Sequence, residues 1–361
     1  MNILKWALLF ALMAALSAPF CRPVVAEGFI DVLDTPAQQS PLAQHSLLVG
    51  LASAGDRLVA VGQRGHILTS DDAGESWQQA RVPVSSDLVA VHFPTARHGW
   101  AVGHDGVVLH SGDGGANWER QLDGRQIGPT LLAHYEALAR SAPDDEALAA
   151  LVDEAKRMTE EGADKPFLDV WFENERVGYI VGAFNLLFRT EDGGRSWTPW
   201  MERTDNPSAL NLYAIRPADG ELYIAGEQGL LLRLDRATGR FESRPAAYDG
   251  SFFGILGKPG VALVFGLRGN VFRSVDGGAS WNPVETGLPV SITTGTALAD
   301  GRLALLSQAG HLLLSRDDGA SFQLQPQPAL APVAAAQAAQ AAGPGQLVLV
   351  GVRGARPLRV P

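Results

Sequence analysis

Ser70-Asp71-Asp72-Ala73-Gly74-Glu75-Ser76-Trp77 sets a frame, Ser/Thr-x-Asp-x-Gly-x-x-Trp, that returns along the chain. It is read again at Ser111-x-Asp113-x-Gly115-x-x-Trp118, Thr190-x-Asp192-x-Gly194-x-x-Trp197 and Ser274-x-Asp276-x-Gly278-x-x-Trp281. A fifth copy, Ser315-x-Asp317-x-Gly319-x-x-Phe322, has Phe in place of Trp, and a decayed one runs from Asp235 to Phe241. Each residue type has a mechanical reason. Asp and Ser side chains satisfy backbone N–H groups inside a turn, Gly takes a positive φ, and the aromatic wedges between neighbouring units. The frame is an Asp box, and its expected job is to staple a turn.

Upstream of each box lies an apolar run broken by a small-residue turn, as in Ala60-Val61-Gly62-Gln63-Arg64-Gly65-His66-Ile67-Leu68. Equivalent Gly or Ser residues stand at 62, 103, 182, 226, 266, 307 and 351, at intervals of 41, 79, 44, 40, 41 and 44. A period of roughly 40–45 residues with several short strands per unit is the spacing of propeller blades. The reading is all-β: a seven-bladed β-propeller with Asp-box turns over 27–361.

At 361 residues the length would ordinarily mean two or three domains, but a propeller distributes its core between blades, so one is expected. The net charge of −10 leaves no basic footprint for nucleic acid. Lys5, the apolar run from Trp6 to Leu16 and the small-residue site Val24-Val25-Ala26 read as a secretory signal over 1–26, cut after Ala26. The product is then periplasmic or otherwise exported, and peripheral to any membrane. Cys21, the one cysteine, would leave with the signal; Ala18-Pro19-Phe20 is a poor lead into a lipidated Cys.

Two features break the repeat. The last unit has no box of its own, and alternating Phe29-Ile30-Asp31-Val32-Leu33 reads as a strand that completes blade seven by pairing the two chain ends. The interval of 79 holds an insertion of about 123–166, in which Leu131, Leu132, Tyr135 and Leu138, then Leu148, Leu151, Val152, Ala155 and Met158, recur at helical spacing. A helical hairpin is expected between blades two and three. In a four-stranded blade the box joins strands three and four at one end of the ring. The turn after strand two and the link to the next blade fall at the other end. The hairpin therefore shares a side with Arg64, Asp105, Asn185, Gln228, Arg268 and Arg353, where variable loops gather over a rigid scaffold.

Arg64, Arg268 and Arg353 recur at one repeat position on blades one, five and seven, so they are either solvated turn residues or guanidinium groups offered to carboxylates of an acidic partner loop. Asp105 and Asn185 complete the expected partner-binding set. His66, His104 and His311 occupy equivalent turns but lack zinc-ligand spacing, and the Gly-rich turns lack the strand-to-helix context and Lys of a phosphate loop. No metal or cofactor is expected. Asp boxes abound in sialidases, yet the Arg-Ile-Pro opening is absent, and Tyr135, Tyr179 and Tyr213 fit apolar stripes better than a nucleophile's role. Only Tyr223 and Tyr248 remain beside them. A glycoside hydrolase or a carbohydrate-binding propeller stays the alternative.

Val170-Trp171-Phe172, Gly178-Tyr179-Ile180-Val181-Gly182-Ala183-Phe184-Asn185 and Arg189-Thr190-Glu191-Asp192-Gly193-Gly194-Arg195-Ser196-Trp197 carry a resemblance to the photosystem II stability and assembly factor-like propellers. It spans the whole ring from about Leu47. The resemblance implies a non-catalytic, exported scaffold that helps a membrane complex assemble, with an arginine-rich face for the client, here Arg64, Arg268 and Arg353. The insertion after blade two departs from the minimal propeller, and the client is open between an envelope transporter component and another membrane-protein complex.

Overall fold

A computed structural model describes residues 30–326, 330–339 and 343–360. The expected leader over 1–26, with Cys21 and the cleavage point, lies outside them. Two contact units divide the chain, Met1–Asp31 and Val32–Pro361; of the first only Ile30 and Asp31 are described, and neither belongs to a strand.

The second unit contains seven antiparallel sheets in chain order, six of four strands and one of three. They are blades one to seven, over 48–79, 88–122, 167–199, 212–243, 252–284, 292–324 and 333–359. First strands touch those of the next blade all the way round, and Val333–Ala338 of blade seven returns to Leu48–Ala54 of blade one. Each sheet is thus covered on both sides, which is why the second strands read as unbroken apolar runs. Gly99–Gly103, Gly178–Gly182 and Val261–Gly266 are buried at every position. Between blades two and three the chain forms helices α1 (Gly124–Ser141) and α2 (Glu146–Glu161).

In the first box the Ser70 hydroxyl donates to Asp72 (2.8 Å) and accepts the Gly74 N–H (2.9 Å), while Asp72 accepts the Ser76 N–H (2.9 Å). The Trp77 indole N–H closes the turn on the Gly74 carbonyl at 3.1 Å. The Ser76 hydroxyl, then the Ser76 N–H and the Ser70 hydroxyl, hold the Asp72 carboxyl down to about 2. Ser280 and Ser321 do the same for Asp276 and Asp317, also to about 2. Each box glycine faces the preceding blade. A Cβ on Gly74 would lie 2.6 Å from Val348 of blade seven, and one on Gly319 would lie 2.9 Å from Leu263 of blade five.

The expected closure by Phe29–Leu33 is overturned. Phe29 lies outside the described residues, the rest of the segment contains no strand, and among the described residues blade seven has three strands. Val32 instead accepts the Ser85 N–H (2.9 Å), Ala37 donates to the Val82 carbonyl (3.1 Å), and Leu33, 1% exposed, packs with Val61, Ile67 and Val84. Two physical reasons account for this. Leu33 finds full burial beside blades one and two, and blade seven already meets blade one through Gly74 against Val348, the kind of contact that each other Asp-box turn makes with the blade before it. The outer strand Gly354–Arg359 is left as an edge. Counting from the turn-closing pair Gly351–Gly354 puts Pro357, which has no N–H, on the outward register.

Leu33→Ala is expected to destabilise the protein by about 2–5 kcal/mol in a denaturant titration, the cost of an emptied core site. A change within error would detach this segment from the fold. A second prediction concerns acid. Folded values near 2 for Asp72, Asp276 and Asp317 lie below the ~3.9 of an unfolded Asp. Their contribution is complete above pH ~4 and is lost as pH falls through about 2. Melting temperature should fall across that window, and less steeply in Asp276→Asn/Asp317→Asn; parallel curves would contradict the role given to the boxes.

Candidate functional site

The hairpin is built by caps and an apolar seam. Asp123 caps α1 by accepting the Arg125 N–H (3.0 Å) while Gln126 reaches back to the Asp123 N–H (3.1 Å), and Asp145 caps α2 through Ala147 and Leu148. Ile127, Leu131 and Tyr135 of α1 and Ala155 and Met158 of α2 enter one core cluster with Val102 and Val108 of blade two and Phe167 and Phe188 of blade three. Tyr135 is the rivet. Its hydroxyl donates to Glu202 (3.1 Å) and accepts the Met201 N–H (3.1 Å), and burial, then the Glu202 charge, pushes it above the ordinary tyrosine value.

Short 3-10 turns cap the second strands on this side of the ring. Their middle residues, Arg64, Asp105, Phe184, Gln228 and Arg268, all sit in the left-handed region with φ between 50° and 58°. Three are pinned to the next blade through their backbone. Arg64 donates its N–H to Asp87 (2.7 Å), Phe184 to Asn211 (2.8 Å) and Arg268 to Ser291 (3.4 Å). The guanidinium groups of Arg64 and Arg268 are exposed and make no ion pair or side-chain hydrogen bond among the described residues. Arg353 differs locally, standing in a two-residue turn closed by Gly351 and Gly354, but is also exposed and unpaired. Burial, and then the charge of Arg353, pushes the Arg356 guanidinium below its ordinary range, so positive charge is concentrated there.

Asn185 does not stand at a tip. Aligning Gly182 with Gly62 puts Phe184 at the Arg64 position and Asn185 where the other blades carry Gly65, Gly106, Gly229 and Gly269. It is 5% exposed, with φ 63°, and binds the Met201 carbonyl (3.3 Å), Thr204 (3.1 Å) and Asn206 (2.9 Å). Asp105 is half-buried at its tip.

His66 meets Ser46, just ahead of the first strand of blade one, at 3.1 Å, His311 meets Ser307 within its own turn at 2.9 Å, and His104 is exposed. The ring's central channel is lined by the first strands, including Tyr213, Phe253, Asp169 and Arg216. Arg216 is its one guanidinium among the described residues, and it is committed to buried Asp169 at 2.6 Å. Tyr213 lies at the channel wall rather than in a strand core, its hydroxyl 3.0 Å from Glu227. Beside the pair, burial and then the charge of Arg216 push His92 down to about 3. Asp169 was legible as a charge inside an apolar run, Phe167-Leu168-Asp169-Val170; its partner was not.

A concavity of about 1190 Å³ runs between the hairpin and the outer parts of blades three and four. Leu138, Leu148 and Leu151 form one wall, and Phe184, Met201 and Pro207 the floor and opposite side. Among the described residues no helix is long and apolar enough to cross a membrane.

Comparison with known proteins follows this geometry. The family model described as photosynthesis system II assembly factor YCF48 matches residues 39–133 and 150–245, together more than half of the chain. The chloroplastic photosystem II stability/assembly factor HCF136 of Arabidopsis thaliana is 24% identical over 48% of this chain and 60% of its own length. The photosystem II assembly protein Ycf48 of Synechococcus sp. (strain JA-2-3B'a(2-13)) is 28% identical over 42% of this chain and 48% of its own. The matched regions thus span about half of the curated relatives. A solved YCF48 bound to a D1 peptide superposes with a TM-score of 0.63 at 15% identity, covering 90% of this chain and 96% of that one, which shows the shared fold. With its boxes, its seven blades and this match, the chain belongs to the photosystem II assembly factor YCF48 family of β-propellers.

Proposed function

We propose that this chain is an exported, non-catalytic scaffold that binds a membrane-protein client through the hairpin-bearing side of the ring. The observation that carries the reading is the set of exposed guanidinium groups at Arg64, Arg268 and Arg353, unpaired among the described residues. In a chain of net charge −10, unpaired cations held on one side are suited to carboxylates of a partner segment. The backbones of Arg64 and Arg268 are hydrogen-bonded to the next blade, so these tips lose little freedom on binding. Relatives support the class of partner: HCF136 and Ycf48 are photosystem II assembly proteins, and one YCF48 was solved with a D1 peptide. The client here is a membrane-protein complex or an envelope transporter component, and a leader over 1–26 would deliver the ring to it.

One observation favours a glycosidase, the Tyr213 hydroxyl against Glu227 at the channel wall. Sialidase chemistry also needs free arginines beside such a pair to hold a carboxylate. Arg216 is tied to Asp169, and Tyr213 itself is pushed above its ordinary value by burial and then by Glu227, away from a ready nucleophile. Hydrolysis of a fluorogenic sialoside that a Tyr213→Phe change abolishes would replace the scaffold reading.

Affinity capture from membranes with wild type and Arg64→Ala/Arg353→Ala tests the arginine side. The double variant should recover its partners about tenfold less well, as two exposed ion pairs of roughly 0.7 kcal/mol each would give. The loss should shrink as salt is raised. Equal recovery would remove the arginines from the interface.

A further inference from the structure

Blade three departs from its sisters at both central positions of the turn after its second strand, and both departures shape one groove. At the tip, where other blades carry Arg64, Asp105, Gln228 and Arg268, stands Phe184, a bulky residue at φ 55°. A left-handed conformation is an outlier for such a side chain and is held only where surrounding contacts enforce it. Phe184 is nonetheless 44% exposed, with the Lys165 ammonium 5.7 Å and the Arg157 guanidinium 5.9 Å from its ring centre. The next residue, Asn185, replaces a glycine and grips segment 201–206 from beneath, so the groove floor is held by the same turn.

The charged groups at the rim are already engaged within the protein. Arg157 pairs with Glu154 and Glu161, Arg240 with Asp205, Arg203 with Glu202, and Asp145 caps α2. What remains to be offered is apolar: Phe184, Leu148, Leu151 and Pro207. Five backbone donors along the floor are engaged too. Met201 donates to Tyr135, Arg203 to Trp200, Asp205 to Phe241, and Ala209 and Leu210 to Asn206. An extended peptide entering here would find these donors already taken. The arrangement favours an occupant that satisfies its own backbone, as a helix does. The volume, about 1190 Å³, exceeds the roughly 300–1,000 Å³ of small-molecule pockets.

From these features we infer that the groove between the α1–α2 hairpin and blades three and four is a docking site for the apolar stripe of an amphipathic helix of the partner. This goes beyond the arginine reading, because the groove is a separate contact that works by apolar burial. It also belongs to this chain more than to the family, since the family match omits 134–149, the stretch that supplies Leu138 and Leu148. Phe184 is the central anchor and Leu148 its counterpart on the hairpin.

The probe is a fluorescein-labelled peptide of about 16 residues, net charge zero, with leucines at i, i+3, i+4 and i+7. A peptide of the same composition with its leucines dispersed serves as control. Fluorescence anisotropy on the full chain should show binding of the patterned peptide only, unchanged by salt. Phe184→Gln, which installs the blade-four residue, and Leu148→Gln should each weaken it by about tenfold. Arg64→Ala/Arg353→Ala should leave it unchanged. No binding by wild type, equal binding of the two peptides, or wild-type affinity in both groove variants overturns the inference. Loss in the arginine pair alone overturns it as well, and assigns the peptide to the arginine side. Melting temperatures of both groove variants guard against a folding artefact, and Leu148, half-exposed on a helix, provides the variant least able to perturb the ring.

Discussion

Five of the seven blade junctions rest on a close approach between an Asp-box turn and the blade before it. Gly74 sits where any side chain would run into Val348, and the same relation links Gly115 to Val59, Gly278 to Tyr223 and Gly319 to Leu263. The box supplies the shape for this contact: its Ser and Asp side chains satisfy the turn's N–H groups, so a tight polar loop can be pressed against an apolar sheet. Because the contact between blades seven and one is of the same kind, the circle closes without exchanging a strand.

On the opposite side the polar tips are held by another repeated device. A residue just ahead of the next blade, Asp87, Asn211 or Ser291, accepts the N–H of a tip that would otherwise be strained. Each of these three tips is thereby tied to two blades, and what it displays is free to vary. Blades one and five display arginine. Blade three displays phenylalanine and adds a helical wall, with Tyr135 fastening that wall to Met201 and Glu202. One scaffold thus presents exposed arginines and an apolar trough on the same side.

Much of this architecture can be read from residue spacing. The box frame and the near-constant interval between small-residue turns place all seven sheets, and the helical periodicity of Leu131, Tyr135, Ala155 and Met158 marks the buried stripe of the hairpin. The ends of the chain were less legible. Alternation over Phe29–Leu33 has the pattern of a strand, but pattern alone does not reveal which neighbour offers the deeper burial, and Leu33 goes to blades one and two. In blade three the turn begins one residue earlier than its polar Asn185 implies, because the equivalent of Arg64 is an aromatic residue. Counting from Gly182 would have found it. The pairing of Asp169 with Arg216 joins positions 47 residues apart on neighbouring blades, a relation that no local pattern encodes.

Among the described residues blade seven ends in a strand with an unpaired edge, and such an edge is a template on which another polypeptide can lay itself down. Pro357 deprives that template of a donor near its middle, and Arg356 and Arg359 flank it with like charge. A second ring approaching edge-on would find an interrupted ladder and mutual repulsion. With three strands among its described residues, the last blade can therefore still resist stacking into fibres with other copies of the chain.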